Sequence, residues 1–208
     1  AYLGNFTQNT DTPNVNWLDD QDYALLRLMQ TQDLEFLSKP GLFGWQKTDR
    51  GSAFLLEQLP LALSSLATPP QSMLDLGCGY GYLTLMSRHM PLSRRVATDN
   101  NAAALLAMSA NALRSGLDVH VVADDAGASL RESFDIILCN PPFHQGFVVE
   151  GEMTEKFLRN TRRLLSSTGM ALFVVNVFIA LEQKAVSVFS SVNTIANNGA
   201  FKVVMLRP

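Results

Sequence analysis

The feature that most constrains this chain is an alternation of short apolar segments with helix-like segments, which begins near residue 73. The first apolar segment, Met73 to Leu76, ends in a run with glycines at positions 77, 79 and 81, and a helix-like segment follows from Tyr82. Phe134 to Cys139 is apolar apart from Asp135, which is typical of a central parallel strand buried on both faces. Such alternation predicts an α/β protein with a doubly wound, mostly parallel sheet.

The remaining segments complete a predicted sheet of seven strands. The last two strands can form an antiparallel hairpin across Asn197-Asn198-Gly199. Ahead of the sheet, a weak helical pattern runs from Trp17 to Met29, and a turn-rich loop runs from Leu34 to Gly51. The predicted strands cover 73–76, 95–98, 119–123, 134–139, 171–176, 191–196 and 201–206, and the predicted helices cover 52–66, 82–89, a segment from Asn100 or Asn101 to Gly116, and 152–165.

Composition narrows the classes of function. A chain of 208 residues, 47% of them hydrophobic, can bury one full core and a modest extension. The net charge of -3 shows no strongly basic surface, so any RNA contact would rest on local clusters. Cys78 and Cys139 lack a disulfide spacing, and we expect both to be free. The longest apolar stretch, 170–181, is shorter than the ~20 residues of a membrane span, and we expect a cytoplasmic protein.

The glycine run favours a nucleoside-like cofactor. A dinucleotide-binding fingerprint would place its third glycine at position 82, which is a tyrosine here, so the spacing disfavours NAD and suits S-adenosylmethionine. Asp75 could bind the ammonium group of that cofactor, Asp99 its ribose hydroxyls, and Asp124 or Asp125 its adenine amino group. The alternative is an ordinary turn with helix-capping acids. The predicted cofactor-binding residues are Asp75, Gly77, Cys78, Gly79, Gly81, Asp99, Asn100, Asp124, Asp125 and Asn140.

The segment Asn140-Pro141-Pro142-Phe143 ends the fourth predicted strand and predicts an acceptor site with these four residues as the catalytic set. The prolines restrict the backbone, and the Asn140 side-chain oxygen and the Pro141 carbonyl could orient an NH2 group towards a methyl donor. Phe143 offers a stacking face for a planar acceptor, and His144 could contact it. An aspartate in place of Asn140 should keep partial activity, because its oxygen still accepts a hydrogen bond. No metal site is expected, since no histidine has ligand-like spacing.

Three motifs together resemble the bacterial ribosomal RNA guanine-N2 methyltransferases: Leu74-Asp75-Leu76-Gly77-Cys78-Gly79, Asn140-Pro141-Pro142-Phe143-His144 and Pro40-Gly41-Leu42-Phe43. Asp49-Arg50-Gly51-Ser52 and Phe201-Lys202-Val203 also match that family. The resemblance covers residues 35 to 208. It implies a Rossmann-like class I methyltransferase fold, S-adenosylmethionine as cofactor, and ribosomal RNA or a ribosomal subunit as partner. It implies that Phe43, Asp49 and Gly51 join Phe143 and His144 on the substrate side.

Members of that family usually carry a degenerate methyltransferase-like domain ahead of the catalytic domain. The resemblance therefore implies that residues 1–35 are an extension or remnant of that domain and that 36–208 form the methyltransferase domain. RNA docking would then depend on a partner or on the missing domain. Candidate phosphate contacts are Lys39, Lys47, Arg50, Arg159, Arg162 and Arg163.

Two alternatives to this function stay open at this point. One is N-methylation of a protein glutamine or of adenine, since those enzymes use related Asn/Asp-Pro-Pro-aromatic motifs. The other is a non-catalytic RNA-binding module that has kept the fold.

Overall fold

The computed structural model describes residues 24–31, 34–142 and 147–208, without the side chains of 147–150. Two short strands come first, and a larger sheet with its helices follows. The strands are β1 (Arg27–Gln30), β2 (Glu35–Ser38), β3 (Ser72–Leu76), β4 (Arg94–Asp99), β5 (His120–Ala123), β6 (Phe134–Cys139), β7 (Leu165–Asn176), β8 (Ser191–Asn197) and β9 (Phe201–Arg207). The helices are α1 (Arg50–Ser64), α2 (Tyr82–Met86), α3 (Ala102–Arg114), α4 (Phe147–Leu164) and α5 (Leu181–Ala185).

The large sheet has seven strands in the order β5-β4-β3-β6-β7-β9-β8. The five strands from β5 to β7 run parallel, and β9 pairs antiparallel with both β7 and β8. One apolar cluster, which includes Phe157 and Leu181, packs on one face of the sheet, and a second, which includes Leu55 and Leu83, packs on the other. The predicted doubly wound, mostly parallel sheet with a C-terminal antiparallel hairpin is confirmed.

The strand order places a crevice at the middle of the sheet. The chain passes from β3 to β4 on one side of β3, and β6 lies on the other side. Connections that leave in opposite directions open a gap at the carboxyl ends of the strands, which is where open α/β sheets bind ligands. The turn after β3 and the segment after β6 both face this gap.

The predicted helical pattern at 17–29 is wrong for its last residues. Residues 17–23 lie outside the described part of the chain, but Arg27 to Met29 belong to β1, which pairs antiparallel with β2. A distant residue anchors this pair: Asn111 of α3 accepts a hydrogen bond from the Leu37 N–H at 2.6 Å and donates to the Leu37 carbonyl at 2.8 Å. Phe36 stacks on Tyr80 with ring centroids 4.2 Å apart. The predicted domain boundary after residue 35 falls inside β2.

Smaller differences concern the helices. α2 ends at Met86 rather than at the predicted His89, and α5 was not predicted at all. α4 begins at Phe147, ahead of the predicted start at Glu152. None of the helices in the described ranges has the length and apolar character needed to cross a membrane.

Candidate functional site

A cavity of about 800 Å³ lies in the crevice at the carboxyl ends of β3, β4 and β6. Its wall combines the turn after β3, the end of β4, the segment after β6, the loop before α1 and one side of α4. Of the residues predicted from the sequence, those that line it are Phe43, Asp49, Asp75, Gly77, Cys78, Gly79, Asp99, Asn100, Asp125, Asn140, Pro141 and Pro142. Phe143 and His144 lie outside the described residues.

The glycine turn is fastened to the neighbouring strand. The Gly77 and Cys78 N–H groups both donate to the Thr98 carbonyl at 2.9 Å, and the Gly79 N–H donates to the Asp99 carboxylate at 2.9 Å. Gly79 has a φ of +55°, and a Cβ atom there would meet nothing within 4 Å. The backbone at Gly79 therefore lies open to whatever occupies the cavity.

Gly81 has a different reason to be glycine. It precedes α2 with a φ of +98°, and a Cβ atom there would lie 2.1 Å from the sulfur of Met108. Gly81 does not line the cavity. It allows α2 to pack against α3, so its part in any ligand binding would be indirect.

Asp75 is a buried carboxyl group, 1% exposed, directly below the glycine turn. One of its oxygens accepts hydrogen bonds from the Thr84 N–H at 3.1 Å and the Thr84 hydroxyl at 2.7 Å. Burial raises its pKa to about 6, although the two Thr84 bonds act in the opposite direction. Its other oxygen, Oδ1, is buried with no partner among the described residues. A donor in the cavity, above all a cationic one, would satisfy that oxygen.

Asp99 is the last residue of β4, and each of its carboxylate oxygens accepts one backbone hydrogen bond. One accepts from the Gly79 N–H at 2.9 Å, and the other accepts from the Asn101 N–H at 2.9 Å. An ionised carboxylate has about four acceptor positions, so about two remain available. Asn101 in turn caps α3 through the Ala103 N–H. Asp99 is thus held rigidly at the cavity with capacity for two further donors.

The sequence left open a choice between Asp124 and Asp125. The Asp124 carboxylate accepts backbone hydrogen bonds from Asp125, Ser129 and Leu130, and it does not line the cavity. Asp125 lines the cavity and forms an ion pair with Lys156 of α4. Of the two acids, the structure places Asp125 where a ligand could reach it.

Both cysteines are free and buried, as the sequence predicts. Burial raises the pKa of the Cys78 thiol well above its ordinary value, and the nearby carboxylates of Asp75 and Asp99 raise it further. Burial likewise raises the pKa of the Cys139 thiol. A thiol with a raised pKa is a poor nucleophile.

Asn140, directly after β6, is held by the start of α1. Its side-chain NH2 donates to Oδ2 of Asp49 at 2.7 Å and to the hydroxyl of Ser52 at 2.8 Å. The same Asp49 oxygen accepts from the Ser52 N–H at 2.7 Å, and Asp49 is the N-cap of α1. Because a carboxylate only accepts hydrogen bonds, the Asn140 nitrogen must face Asp49. The Asn140 oxygen is therefore left for another donor.

Gly51 supports this arrangement from behind. A Cβ atom there would lie 3.1 Å from the Asp49 carboxylate and 3.3 Å from the ring of Phe201. Gly51 is buried and does not line the cavity, so its place in the sequence motif is explained by packing between α1 and β9. Phe43, in contrast, lines the cavity and is 56% exposed.

One wall of the cavity was not predicted from the sequence. Glu152, Met153, Lys156 and Phe157 of α4 line it. In the sequence, Met153 and Phe157 lie on the apolar side of a predicted helix, and this pattern usually indicates packing against the core. Only the position of α4 above the glycine turn shows that the same side also faces a ligand cavity.

Of the six candidate phosphate contacts, Lys39 is buried, and four of the others fall into two groups. Lys47 and Arg50 are exposed in the segment beside the cavity. Arg162 and Arg163 lie three and two residues before Leu165, which pairs with the first residue of β6, so they lie at the edge opposite Asn140. Arg163 also donates to backbone carbonyls of the β5–β6 connection. Of these four residues, only Lys47 and Arg50 lie beside the cavity.

The strand order and the cavity at the strand ends define a class I methyltransferase fold of the Rossmann-like type. The family model of the methyltransferase small domain matches residues 33–205, and the chain belongs to this family. This result confirms the family relationship that the motifs indicated.

Curated relatives match this chain over most of its length. The ribosomal RNA small subunit methyltransferase C of Hahella chejuensis is 31% identical over 198 residues, which cover 92% of this chain and 56% of that protein. The protein of the same name in Pseudomonas paraeruginosa is 32% identical over 84% of this chain and 51% of its own length. The chain thus spans about half the length of the curated relatives it matches.

Solved structures show the same fold. The 16S rRNA N2 G1207 methyltransferase of Thermus thermophilus, solved in complex with AdoMet and guanosine, has a TM-score of 0.77 at 27% identity and covers 88% of this chain and 50% of its own. A ribosomal protein L11 methylase from Lactobacillus delbrueckii has a TM-score of 0.63 at 18% identity and covers 82% of this chain and 83% of its own. The second likeness is one of fold alone.

Proposed function

We propose that this protein is an S-adenosylmethionine-dependent N-methyltransferase whose acceptor is the exocyclic N2 of a guanine in ribosomal RNA. The observation that carries the proposal is the fixed amide of Asn140. Asp49 and Ser52 hold its nitrogen, which leaves its oxygen for another donor, and Asn140 lines the cavity that the glycine turn also lines. An oriented neutral acceptor beside a cofactor cavity is what methylation of an NH2 group requires.

The residues around the cavity fit the cofactor. The unpartnered Asp75 oxygen suits its ammonium group, and the two free acceptor positions of Asp99 suit its two ribose hydroxyls. Asp125 suits the adenine amino group. To bind it, the Asp125 carboxylate would either give up its ion pair with Lys156 or accept hydrogen bonds from both groups. When bound, S-adenosylmethionine supplies an electrophilic methyl group on its sulfonium.

The acceptor side follows from the chemistry of an aromatic amine. The lone pair of the guanine NH2 is delocalised, and hydrogen bonds to the Asn140 oxygen and the Pro141 carbonyl would hold the nitrogen in line with the methyl group. No strong base is needed, because the nitrogen can release its proton to solvent after the new N–C bond forms. Pro142 restricts the segment, and Phe143 with His144 and Phe43 would contact the base.

The choice of guanine in ribosomal RNA is supported by the relatives rather than by the cavity itself. The curated relatives are ribosomal RNA small subunit methyltransferases, and the Thermus thermophilus enzyme was solved with guanosine. A ribosomal substrate would place the protein in the cytoplasm. Because the chain spans about half of those relatives, we propose that 36–208 supply the catalytic domain and that firm RNA docking depends on further sequence or on a partner.

The test is transfer of labelled methyl from S-adenosylmethionine to three separate acceptors: deproteinised 16S rRNA, small ribosomal subunits and ribosomal proteins. Mass spectrometry of the digested nucleosides should show N2-methylguanosine. The matched control is Asn140→Ala, which should bind the cofactor normally but transfer about 10²-fold more slowly.

Other outcomes would redirect the assignment. N6-methyladenosine or methylated glutamine would identify one of the alternative acceptors. Normal cofactor binding with no transfer to any of the three would favour a non-catalytic module. Equal transfer by the parent and Asn140→Ala would refute the role given to the amide.

A further inference from the structure

Phe178 is the most exposed large apolar side chain among the described residues, at 89%. It lies in a turn after β7 whose backbone is fixed. The Phe178 N–H donates to the Asn176 side chain at 3.1 Å, and the Ile179 N–H donates to the Asn176 carbonyl at 3.0 Å. Ile179 then packs against the apolar core. The ring is thus held in solvent by ordered neighbours on both sides.

The turn lies at the same edge of the sheet as Asn140. β7 runs parallel to β6, and Phe173 pairs with Cys139, the last residue of β6. β7 continues to Asn176, so the turn stands just beyond the end of β6. With strands about 4.8 Å apart and about 3.3 Å per residue, Phe178 lies roughly 10–14 Å from Asn140.

Packing links this turn to the residues that hold Asn140. Phe201 pairs with Asn176 across β7 and β9. Its ring lies 3.3 Å from the position that a Cβ atom of Gly51 would take, beside Asp49. The turn that carries Phe178 and the start of α1 therefore lie at the same edge of the sheet. Lys47 and Arg50 are exposed near the start of α1. Neither takes part in the ion pairs formed between described residues.

We propose that Phe178 is a stacking platform for a nucleotide that flanks the target base in single-stranded RNA. The inference rests on the proposed function and extends it to the surface outside the cavity. When the target base enters the cavity, the adjacent bases of the RNA lose it as a stacking partner. The ring of Phe178 lies close enough to Asn140 to stack on one of those bases in its place. Lys47 and Arg50 contact the phosphates along the same edge. A single exposed apolar residue is ordinary; the fixed turn and its place beside Asn140 distinguish this one.

The experiment measures the affinity of the cofactor-loaded protein for a fluorescent single-stranded RNA oligonucleotide with one central guanine, by anisotropy. Phe178→Ala should weaken binding about 5- to 150-fold, the range of one stacked base at about 1–3 kcal/mol. Phe178→Trp should bind like the parent, and Phe178→Leu should resemble the alanine variant, because a leucine side chain has no π face. The matched control is Leu113→Ala on α3, which removes a side chain 85% exposed and should have no effect.

Salt dependence separates stacking from charge. Phe178→Ala should leave the slope of log affinity against log salt unchanged, whereas Lys47→Ala and Arg50→Ala should each reduce it by about 0.7. Methylation assays should show a raised KM for RNA in Phe178→Ala with kcat near that of the parent.

Parent-like affinity in Phe178→Ala would overturn the inference, as would undetectable binding of the oligonucleotide by the parent. Parent-like affinity in Phe178→Leu would also overturn it, since it indicates an apolar contact rather than stacking. An effect of Phe178→Ala on ribosomal subunits but not on naked RNA would assign the ring to a protein partner instead. Binding that depends on Phe178, together with no methyl transfer to 16S rRNA, small ribosomal subunits or ribosomal proteins, would refute the proposed function and leave the stacking surface standing.

Discussion

Replacement of Asn140 by aspartate tests the hydrogen-bond geometry at the acceptor. The sequence alone predicts partial activity, because an aspartate oxygen can still accept a hydrogen bond. The structure predicts a larger loss. The Asn140 nitrogen lies 2.7 Å from an Asp49 oxygen, and the substitution would place a second carboxylate oxygen there.

The size of the effect follows from Coulomb's law. Two unit charges 2.7 Å apart repel by about 6 kcal/mol at an effective dielectric constant of about 20. Asp49 and Asn140 are both partly exposed, so solvent and side-chain movement reduce this repulsion, and we take about half. A penalty of about 3 kcal/mol on the oriented state corresponds to roughly a 10²-fold loss in kcat.

The assay is single-turnover methylation of RNA with Asn140→Asp, Asp49→Asn and the double variant, each first shown to bind S-adenosylmethionine. Asp49→Asn alone should cost less than about 10-fold, because asparagine is also a good N-cap for α1. In the double variant the new amide at position 49 can donate to the new carboxylate at 140, and at least 10-fold of the lost rate should return. Parent-like rates in Asn140→Asp, or independent effects in the double variant, would refute the reasoning.

Three further predictions concern the cofactor side. Asp99→Ala should weaken cofactor binding by roughly 1.5–3 kcal/mol in calorimetry, the scale of hydrogen bonds to a charged group, and unchanged affinity would remove Asp99 from the site. Gly79→Ala should lower the free energy of unfolding by about 1 kcal/mol, as much as the control Gly116→Ala, yet abolish cofactor binding. Gly81→Ala should lower the free energy of unfolding by about 2–4 kcal/mol, because its Cβ atom would overlap Met108. Urea titration measures both losses, and equal losses in Gly79→Ala and Gly81→Ala would contradict the packing role of Gly81. The pKa of Asp75 is raised to about 6, so its carboxyl is neutral below that pH and ionised above it; cofactor affinity should fall about tenfold per pH unit below 6 and level off above 7, and Asp75→Asn should flatten this profile.

Local patterns in the sequence were enough to predict the centre of the sheet. The apolar run Phe134–Cys139 is a strand over the predicted residues. β3 and β4 each extend the prediction by only one or two residues. A parallel strand that is buried on both faces is a short, nearly continuous apolar run, so it can be predicted from the sequence alone. The glycine turn and Asn140 were also readable, since each adjoins such a strand.

Features that depend on distant contacts could not be read in this way. β2 has four residues, and its partners include Asn111, 74 positions along the chain. The link between Asn140 and Asp49 spans 91 positions. The α4 wall of the cavity was missed for a related reason, because an apolar helix side has the same pattern whether it meets a sheet or a ligand. In each case the signal arises only once the fold has brought the segments together.

One oxygen atom both caps α1 and binds Asn140 at the end of β6. Oδ2 of Asp49 accepts from the Ser52 N–H, which caps the helix, and from the Asn140 amide. An N-cap contributes about 1 kcal/mol to helix stability, and α1 is anchored by its buried residues Leu55 and Leu59. The orientation of Asn140 therefore depends on the packing of α1 against the sheet as much as on the prolines that follow it. An Asn-Pro-Pro-Phe segment without such a helix would present an amide free to turn, which is why the upstream Asp-Arg-Gly-Ser motif carries as much information about the chemistry as the acceptor motif itself.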